Sequence, residues 1–338
     1  MANRELRKTA SEYFTESSSL HAHGSYDIKI LSGGLVNCTF KVNNTESDRG
    51  PIVLSIYRND QWLRVEQQKR VSTETERIPN IPMQRLLSTS ITQSGIGIAE
   101  REFIKGDTIA HFIENGNLPE AGLSTIMQEL GYILANIHSV PAKLIGRVAD
   151  QNNNTTSWRD FFMHRFGRRV ANIMEIRPDI KIGGIKIQQV QDMMPRVVEV
   201  SNEISPLLSD VGRPFLLHHD FHFLNIIMTD KPLRVQGVLD WENLTGGDPE
   251  FDLAFLETQL YLNRKFLPKL EHIKKHLVEG YANKSGYWPQ TPKRPLYMLD
   301  CALSYFEAVS KLSSDKTTDQ IKLYAKGHAE NIKELCHL

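Results

Sequence analysis

The sequence predicts an α+β chain of two unequal parts, a strand-rich first hundred residues and a longer, mainly helical remainder. Three observations carry this. Runs rich in Ile, Val, Thr and Phe occur at 27–32, 37–42 and 51–57, separated by Gly33-Gly34 and by the turn formers of 43–50. Residues 122–140 then place Leu123, Ile126, Met127, Leu130, Ile133, Leu134 and Ile137 at the spacing of one helix face. From residue 251 onward apolar periodicity recurs with few β-branched runs, which predicts three or more further helices.

The elements follow in order. Residues 2–18 read as a short polar helix ahead of the three strands. Residues 60–76 are charged with sparse apolar positions (Trp62, Leu63, Val65 and Val71) and predict a partly exposed helix. Strands at 85–92 and 96–104 complete a β-β-β-α-β-β order. The character changes near Lys105–Asp107, so two units are expected, 1–104 and 105–338. In the second unit, 151–156 is a loop, 158–176 and 187–207 are helices, and 215–243 is a strand, a loop and a hairpin. Internal repeats and low-complexity tracts are absent.

Composition excludes several classes of function. Lys+Arg and Asp+Glu balance at 40 each, against a basic nucleic-acid surface. No apolar run approaches the roughly 18 residues of a membrane span, and the start, MANRELRKTASEYF, has no apolar signal-peptide core. Cys38, Cys301 and Cys336 are odd in number and far apart, the usage of a cytoplasmic protein with reduced thiols.

The chemistry concentrates in LLHHDFHFLNIIM (216–228) and VLDWEN (238–243). The first carries H-x-D-x-x-x-x-N between apolar flanks, and the second ends an apolar run with Asp240 and Glu242. A hairpin folded about 230–234 brings Asn225 opposite Asp240 and leaves Asp220 at its open end. Three hard oxygen donors converge there, as magnesium bridging nucleotide phosphates requires. Asp220 accepts a proton from the attacking hydroxyl or orients it; Asn225 and Asp240 hold the metal, with Glu242 a candidate further ligand. His218 is a candidate catalytic residue whose ring nitrogens suit it better to bracing the loop. Turn chemistry is the competing reading of Asp220 and Asn225. A second alternative takes His218, His219 and His222 as a transition-metal site of a hydrolase.

With these motifs the strand order becomes that of a kinase small lobe, and the chain resembles the aminoglycoside phosphotransferase/choline kinase-like superfamily of small-molecule kinases. The resemblance rests on SGGLVNCTFKV (32–42), EFIKG (102–106), LGYILANIH (130–138), LLHHDFHFLNIIM and GVLDWENLTGGDPEFDLA (237–254), in that order. It implies a bilobal protein-kinase-like fold with a small antiparallel-sheet lobe and a mainly helical lobe. It also implies ATP or GTP as donor, Mg2+, and a hydroxyl of a small molecule as acceptor. By the same resemblance Asp220 is the base, Asn225 and Asp240 are metal ligands, and Asp252 anchors the catalytic loop from below. Read alone, Asp252 is a helix N-cap.

On the donor side, Ser32, Gly33 and Gly34 join two strands where glycines let backbone N–H groups approach phosphates, with Asn37 pinning that loop. Glu102–Ile104 resembles the family's hinge, where main-chain groups meet the nucleobase. One departure stands out. Kinases place a Lys on the third strand and a Glu on the next helix, yet here the strand position is Ser55, with Glu66 as the helix carboxylate. Lys41 and Arg58 are the substitute cations within sequence reach. Ser55 also keeps open a nucleotide-binding pseudokinase as an alternative function.

Acceptor recognition is expected from 141–214 and 255–338. These hold 11 Lys/Arg against 8 Asp/Glu and 13 against 9, a mildly basic balance that favours a neutral or anionic acceptor over a polycation.

Overall fold

The computed structural model describes residues 26–31, 38–44, 50–57, 63–92, 95–150, 155, 157–210, 212–262, 270–310 and 319–337. The N-terminal helix expected at 2–18, the loop expected at 151–156 apart from Thr155, and Ser32, Gly33, Gly34, Asn37 and Arg58 lie outside the described residues.

The first lobe is an antiparallel sheet with one helix across it. Strands β1 (Tyr26–Ile30), β2 (Cys38–Asn44), β3 (Ile52–Tyr57), β4 (Leu86–Ile91) and β5 (Gly97–Glu102) are ordered β1-β2-β3-β5-β4. Period-two alternation gives the sheet two different faces. Phe40, Val42, Leu54, Ile56 and Ile98 bury against one another on one side. On the other, Tyr57 and Ala99 pack against Val65 of α1 (Leu63–Thr75). Register places Thr39, Ser55 and Ala99 on one rung and Lys41, Val53 and Arg101 on the next, on this second face.

The chain leaves the sheet through Gly106, whose φ of 138° and close approach to the Met228 carbonyl exclude a side chain. Strand β6 (Asp107–Thr108) then pairs with Met228 and Ile227, tying the exit strand to the hairpin of the second lobe. That lobe is mainly helical. Helix α2 (Ile109–Glu114) leads into α3 (Glu120–Ile137), which buries the periodic apolar face read from the sequence. It packs so closely on α8 (Leu270–Ser285) that a Cβ on Gly131 or Gly280 would overlap the facing backbone. Beyond α4 (Trp158–Glu175) and the two-residue strands β8 (Lys181–Ile182) and β9 (Ile185–Lys186), the expected 187–207 helix is two helices, α5 (Ile187–Gln191) and α6 (Met194–Ile204). Pro195 supplies the break: proline is favoured in the first turn of a helix and unwelcome inside one. Helices α7 (Glu250–Leu262), α9 (Arg294–Ser310) and α10 (Asp319–Leu335) complete the C-terminal helical region. Around Trp158, Phe162, Phe251 and Tyr297 a second core forms, separate from that of α3 and α8.

The architecture is the bilobal kinase-like one expected. Among the described residues no helix is long and apolar enough to cross a membrane.

Candidate active site

Between the cores runs a short sheet of β10 (Phe215–Leu217), β13 (Thr245–Gly247) and β7 (Gly146–Arg147), from whose end the loop 218–222 emerges. The hairpin β11 (Ile226–Asp230) and β12 (Leu233–Val238) pairs Ile226 with Val238. The Leu239 N–H donates to the Asn225 carbonyl at 2.8 Å. Asn225 is therefore opposite Leu239, one residue short of the expected partner, and Asp240 follows at once. Asp240 turns the chain in a left-handed conformation, φ 59° and ψ 58°, a region that Asp tolerates better than most residues.

Asp220 and Asn225 are joined directly. The Asn225 Nδ2 donates to the Asp220 carbonyl at 3.0 Å and to its carboxylate at 3.3 Å. His222 Nε2 lies 3.3 Å from the other carboxylate oxygen. Burial works to raise the Asp220 carboxyl, but the charge and hydrogen bond of His222, then His218 and Asn225, outweigh it and hold it below the ordinary range. The same pairing holds His222 above its ordinary value against burial. Asp240 behaves oppositely. Desolvation, then the charges of Glu242 and Asp220, push it up to about 7, although its side chain keeps an exposed face.

The loop is held from below. Fully buried Asp252 accepts the His218 N–H at 2.7 Å and the His219 N–H at 2.8 Å, and His138 Nε2 approaches it at 3.3 Å. Asp252 is the third residue of α7 and not its N-cap, which corrects the reading from that residue alone. His218 is fully buried, its Nδ1 accepting the Asp220 N–H at 3.3 Å and its Nε2–H donating to the Leu239 carbonyl at 2.9 Å. Burial lowers its basicity, in keeping with this neutral tautomer. His219 Nδ1 meets Thr245 Oγ1 at 2.7 Å and its Nε2 meets Arg165. Each of the three imidazoles is thus hydrogen-bonded, His218 and His222 both to Asp220. Among the described residues no cluster of three His, Cys, Asp or Glu side chains is arranged for a metal.

Residues 27–270 match the sequence profile of the family described as "Phosphotransferase enzyme family". The chain belongs to this phosphotransferase family. Over 103 aligned positions the chain is 36% identical to acyl-CoA dehydrogenase family member 11 of Mus musculus and 35% identical to that of Rattus norvegicus. The match covers 27% of this chain and only 13% of those much longer proteins. Among solved structures, a thermostable mutant of aminoglycoside phosphotransferase APH(4)-Ia in ternary complex with ADP and hygromycin B superposes with a TM-score of 0.66. The two chains are 16% identical over 96% of this one and 97% of that one. A fructosamine-3-kinase-like protein of Haemophilus somnus 129PT gives a TM-score of 0.60 at 14% identity, over 95% and 96% of the chains.

The donor side of the phosphotransferase cleft departs from the sequence reading. Glu66 does not meet Ser55; it pairs with Lys69 at 2.9 Å, half exposed on the outer side of α1. The inner side of that helix presents Val65, Gln68 and Val71. Ser55 instead accepts from Arg101 Nη1 at 2.8 Å, and Arg101 Nη2 donates to Tyr57 Oη at 3.0 Å. Arg101 is the residue that sequence reasoning missed. Its signal was strand alternation: it stands beside the hinge with its side chain on the cleft face, one rung from Ser55. The other candidate within the described residues, Lys41, sits 3.9 Å above the ring of Phe103. Glu102 is committed to structure, its N–H donating to the Arg85 carbonyl at 3.0 Å and its carbonyl accepting from Gln84 Nε2 at 2.9 Å. Ile104 packs on Gly237, where a Cβ would collide with it. Glu242 faces α1, with Arg64 Nη1 at 3.9 Å.

Proposed function

We propose that the chain is an ATP- or GTP-dependent, Mg2+-dependent O-phosphotransferase acting on a neutral or anionic hydroxyl compound. The observation supporting this is the convergence at the hairpin mouth: Asp220 joined to Asn225, with Asp240 one residue beyond Asn225's partner.

Asp220 is the group for the acceptor hydroxyl. Its carboxyl is held ionised by His222 and Asn225, so it stands ready to accept a hydrogen bond and then the proton. His218 positions it from inside the loop without reaching the cleft. With Nδ2 given to Asp220, Asn225 has Oδ1, a hard oxygen, left for a cation.

The donor set fits magnesium. The oxygens are hard ligands, and the crowding that drives Asp240 up to about 7 is relieved by a divalent cation. Asn225 and Asp240 would hold the ion, with Glu242 at the edge. When bound, it supplies charge neutralisation at the donor's phosphates. Ser32, Gly33, Gly34 and Asn37 cover those phosphates, and the main chain after Glu102, through Phe103 and Ile104, meets the base. The lobes meet at the hinge, 1–104 carrying the nucleotide and 105–338 the catalytic loop and acceptor pocket.

A magnesium-dependent screen of hydroxyl compounds, with Asp220→Ala as control, tests this. Turnover with at least one acceptor, falling about 100-fold or more in the variant, is expected. Equal rates for both proteins with every acceptor would remove the catalytic assignment and leave a nucleotide-binding regulatory module. Tight calorimetric binding of an aminoglycoside would overturn the acceptor class.

A further inference from the structure

The geometry points to Arg101 as the cation that holds the donor's phosphates, supplied from the hinge strand because the third strand offers only Ser55. This rests on the phosphotransferase reading and names a residue for its donor site.

Arg101 starts at the hinge end of β5, opposite Val53. Its side chain then runs back along the sheet, so that the guanidinium reaches Ser55 at 2.8 Å and Tyr57 at 3.0 Å, one and two rungs deeper. It thus comes to rest where a side chain on β3 at residue 55 would begin. Ser55 is short enough to leave that space open, and its hydroxyl anchors the arginine there. Both Ser55 and Tyr57 are buried, so the anchor is fixed.

The charge is placed but not cancelled. Both anchors are neutral acceptors, and among the described residues no carboxylate pairs with Arg101 within ion-pair distance. Glu66 pairs with Lys69, and the other acid of α1, Glu74, pairs with Lys143 and Arg77. A half-buried arginine without a counter-ion favours an anion from outside. The fork of N–H groups left over suits a phosphate, which it can hold by two parallel hydrogen bonds.

The alternation of the sheet explains why the swap is possible. Residues 55 and 101 share one face on neighbouring strands, so a long side chain from either can fill the same point. A lysine at 55 and an arginine at 101 would compete for it.

The test compares wild type with Arg101→Met, Arg101→Lys and the double variant Ser55→Lys/Arg101→Met. ADP, GDP and the matching nucleosides are titrated in magnesium, with thermal denaturation as the check on folding. Arg101→Met is expected to weaken the better-bound diphosphate about 10- to 100-fold while leaving its nucleoside within about twofold. Arg101→Lys should lose less, and the double variant should recover most of the loss. A purely structural role would weaken diphosphate and nucleoside alike and would not be rescued by a lysine at 55; either result overturns the inference. If Arg101→Met fails to fold, Arg101→Gln, whose amide can still reach Ser55, carries the same comparison. Failure of wild type to bind any nucleotide would strike the phosphotransferase reading itself. Wild-type binding with an unchanged Arg101→Met would strike only the role given to Arg101.

Discussion

Asp252 accepts the backbone N–H of His218 at 2.7 Å with one carboxylate oxygen while the other takes the next N–H at 2.8 Å. The bonds run from a helix at the base of the lobe to the loop that carries Asp220 two residues on. Replacing the carboxylate by an amide sets an NH2 group against one of two buried N–H donors. Asp252→Asn is therefore expected to lower stability by about 2–4 kcal/mol, as buried donors left without acceptors do. Turnover should fall about 100-fold through the displaced loop. Urea denaturation and kcat measured on the folded fraction check the two effects separately. Unchanged stability would mean that the loop holds itself.

Asp252 also shows what could and could not be read from sequence. Its chemistry as an acid near a helix start was visible, but its partners lie 33 and 34 residues away, and only the return of α7 beneath β10 creates them. The hairpin was legible because periodicity and turn residues are local; its register differed by one because the turn is confined to Lys231-Pro232 and the strands shift register between Ile227 and Met228, which no local pattern announces. Helix α3 was legible from its apolar stripe. The break between α5 and α6 depended on weighing one proline against a long amphipathic pattern. Arg101 was hidden for another reason. A motif expects a cation at a position in the chain, whereas the site needs one at a position in space, and adjacent strands offer two routes to it.

The contact of α3 with α8 gives a prediction about folding alone. Gly280 faces the Gln128 carbonyl and Gly131 faces the Leu277 carbonyl, so any side chain at either position pushes the helices apart. Gly280→Ala should cost about 1–3 kcal/mol or more, since backbone cannot step aside as a side chain would. Thermal denaturation reads the loss, while the nucleotide KM of the protein that remains folded should stay as it was. Full wild-type stability would show that the two helices can separate freely.

The pair of Asp220 and His222 makes stability depend on pH within a defined window. His222 is raised in the folded protein, so its contribution is fully present below about 6.5 and fades as pH rises through its higher folded value. Asp220 is depressed, so its contribution is lost only when pH falls below the ordinary carboxylate range. His222→Gln should therefore destabilise by about 0.5–1 kcal/mol near pH 5–6, the scale of a partly exposed pair, and by little at pH 9. Denaturant titrations across that range check the slope, and a constant difference between the proteins at all pH values would rule out the ion pair as its source.

Asp240 reverses the sign expected of an acid at a metal site. Its carboxyl is raised to about 7 by desolvation and by Glu242 and Asp220 beside it. The folded protein thus binds this proton more tightly than the unfolded chain does. Stability from that source is complete below the unfolded value of about 4 and is lost as pH climbs through 7. In the metal-free protein, Asp240→Asn should gain stability relative to wild type as pH rises from 5 to 8, because the amide never acquires the crowded charge. The exposed face of Asp240 makes this gain smaller than the shift alone implies. Magnesium should reverse the ranking. It competes with the same proton, so its binding to wild type, measured by calorimetry with nucleotide present, should strengthen from pH 6 to 8 and be weak in Asp240→Asn throughout. Equal magnesium affinity in the two proteins would move the metal away from Asp240.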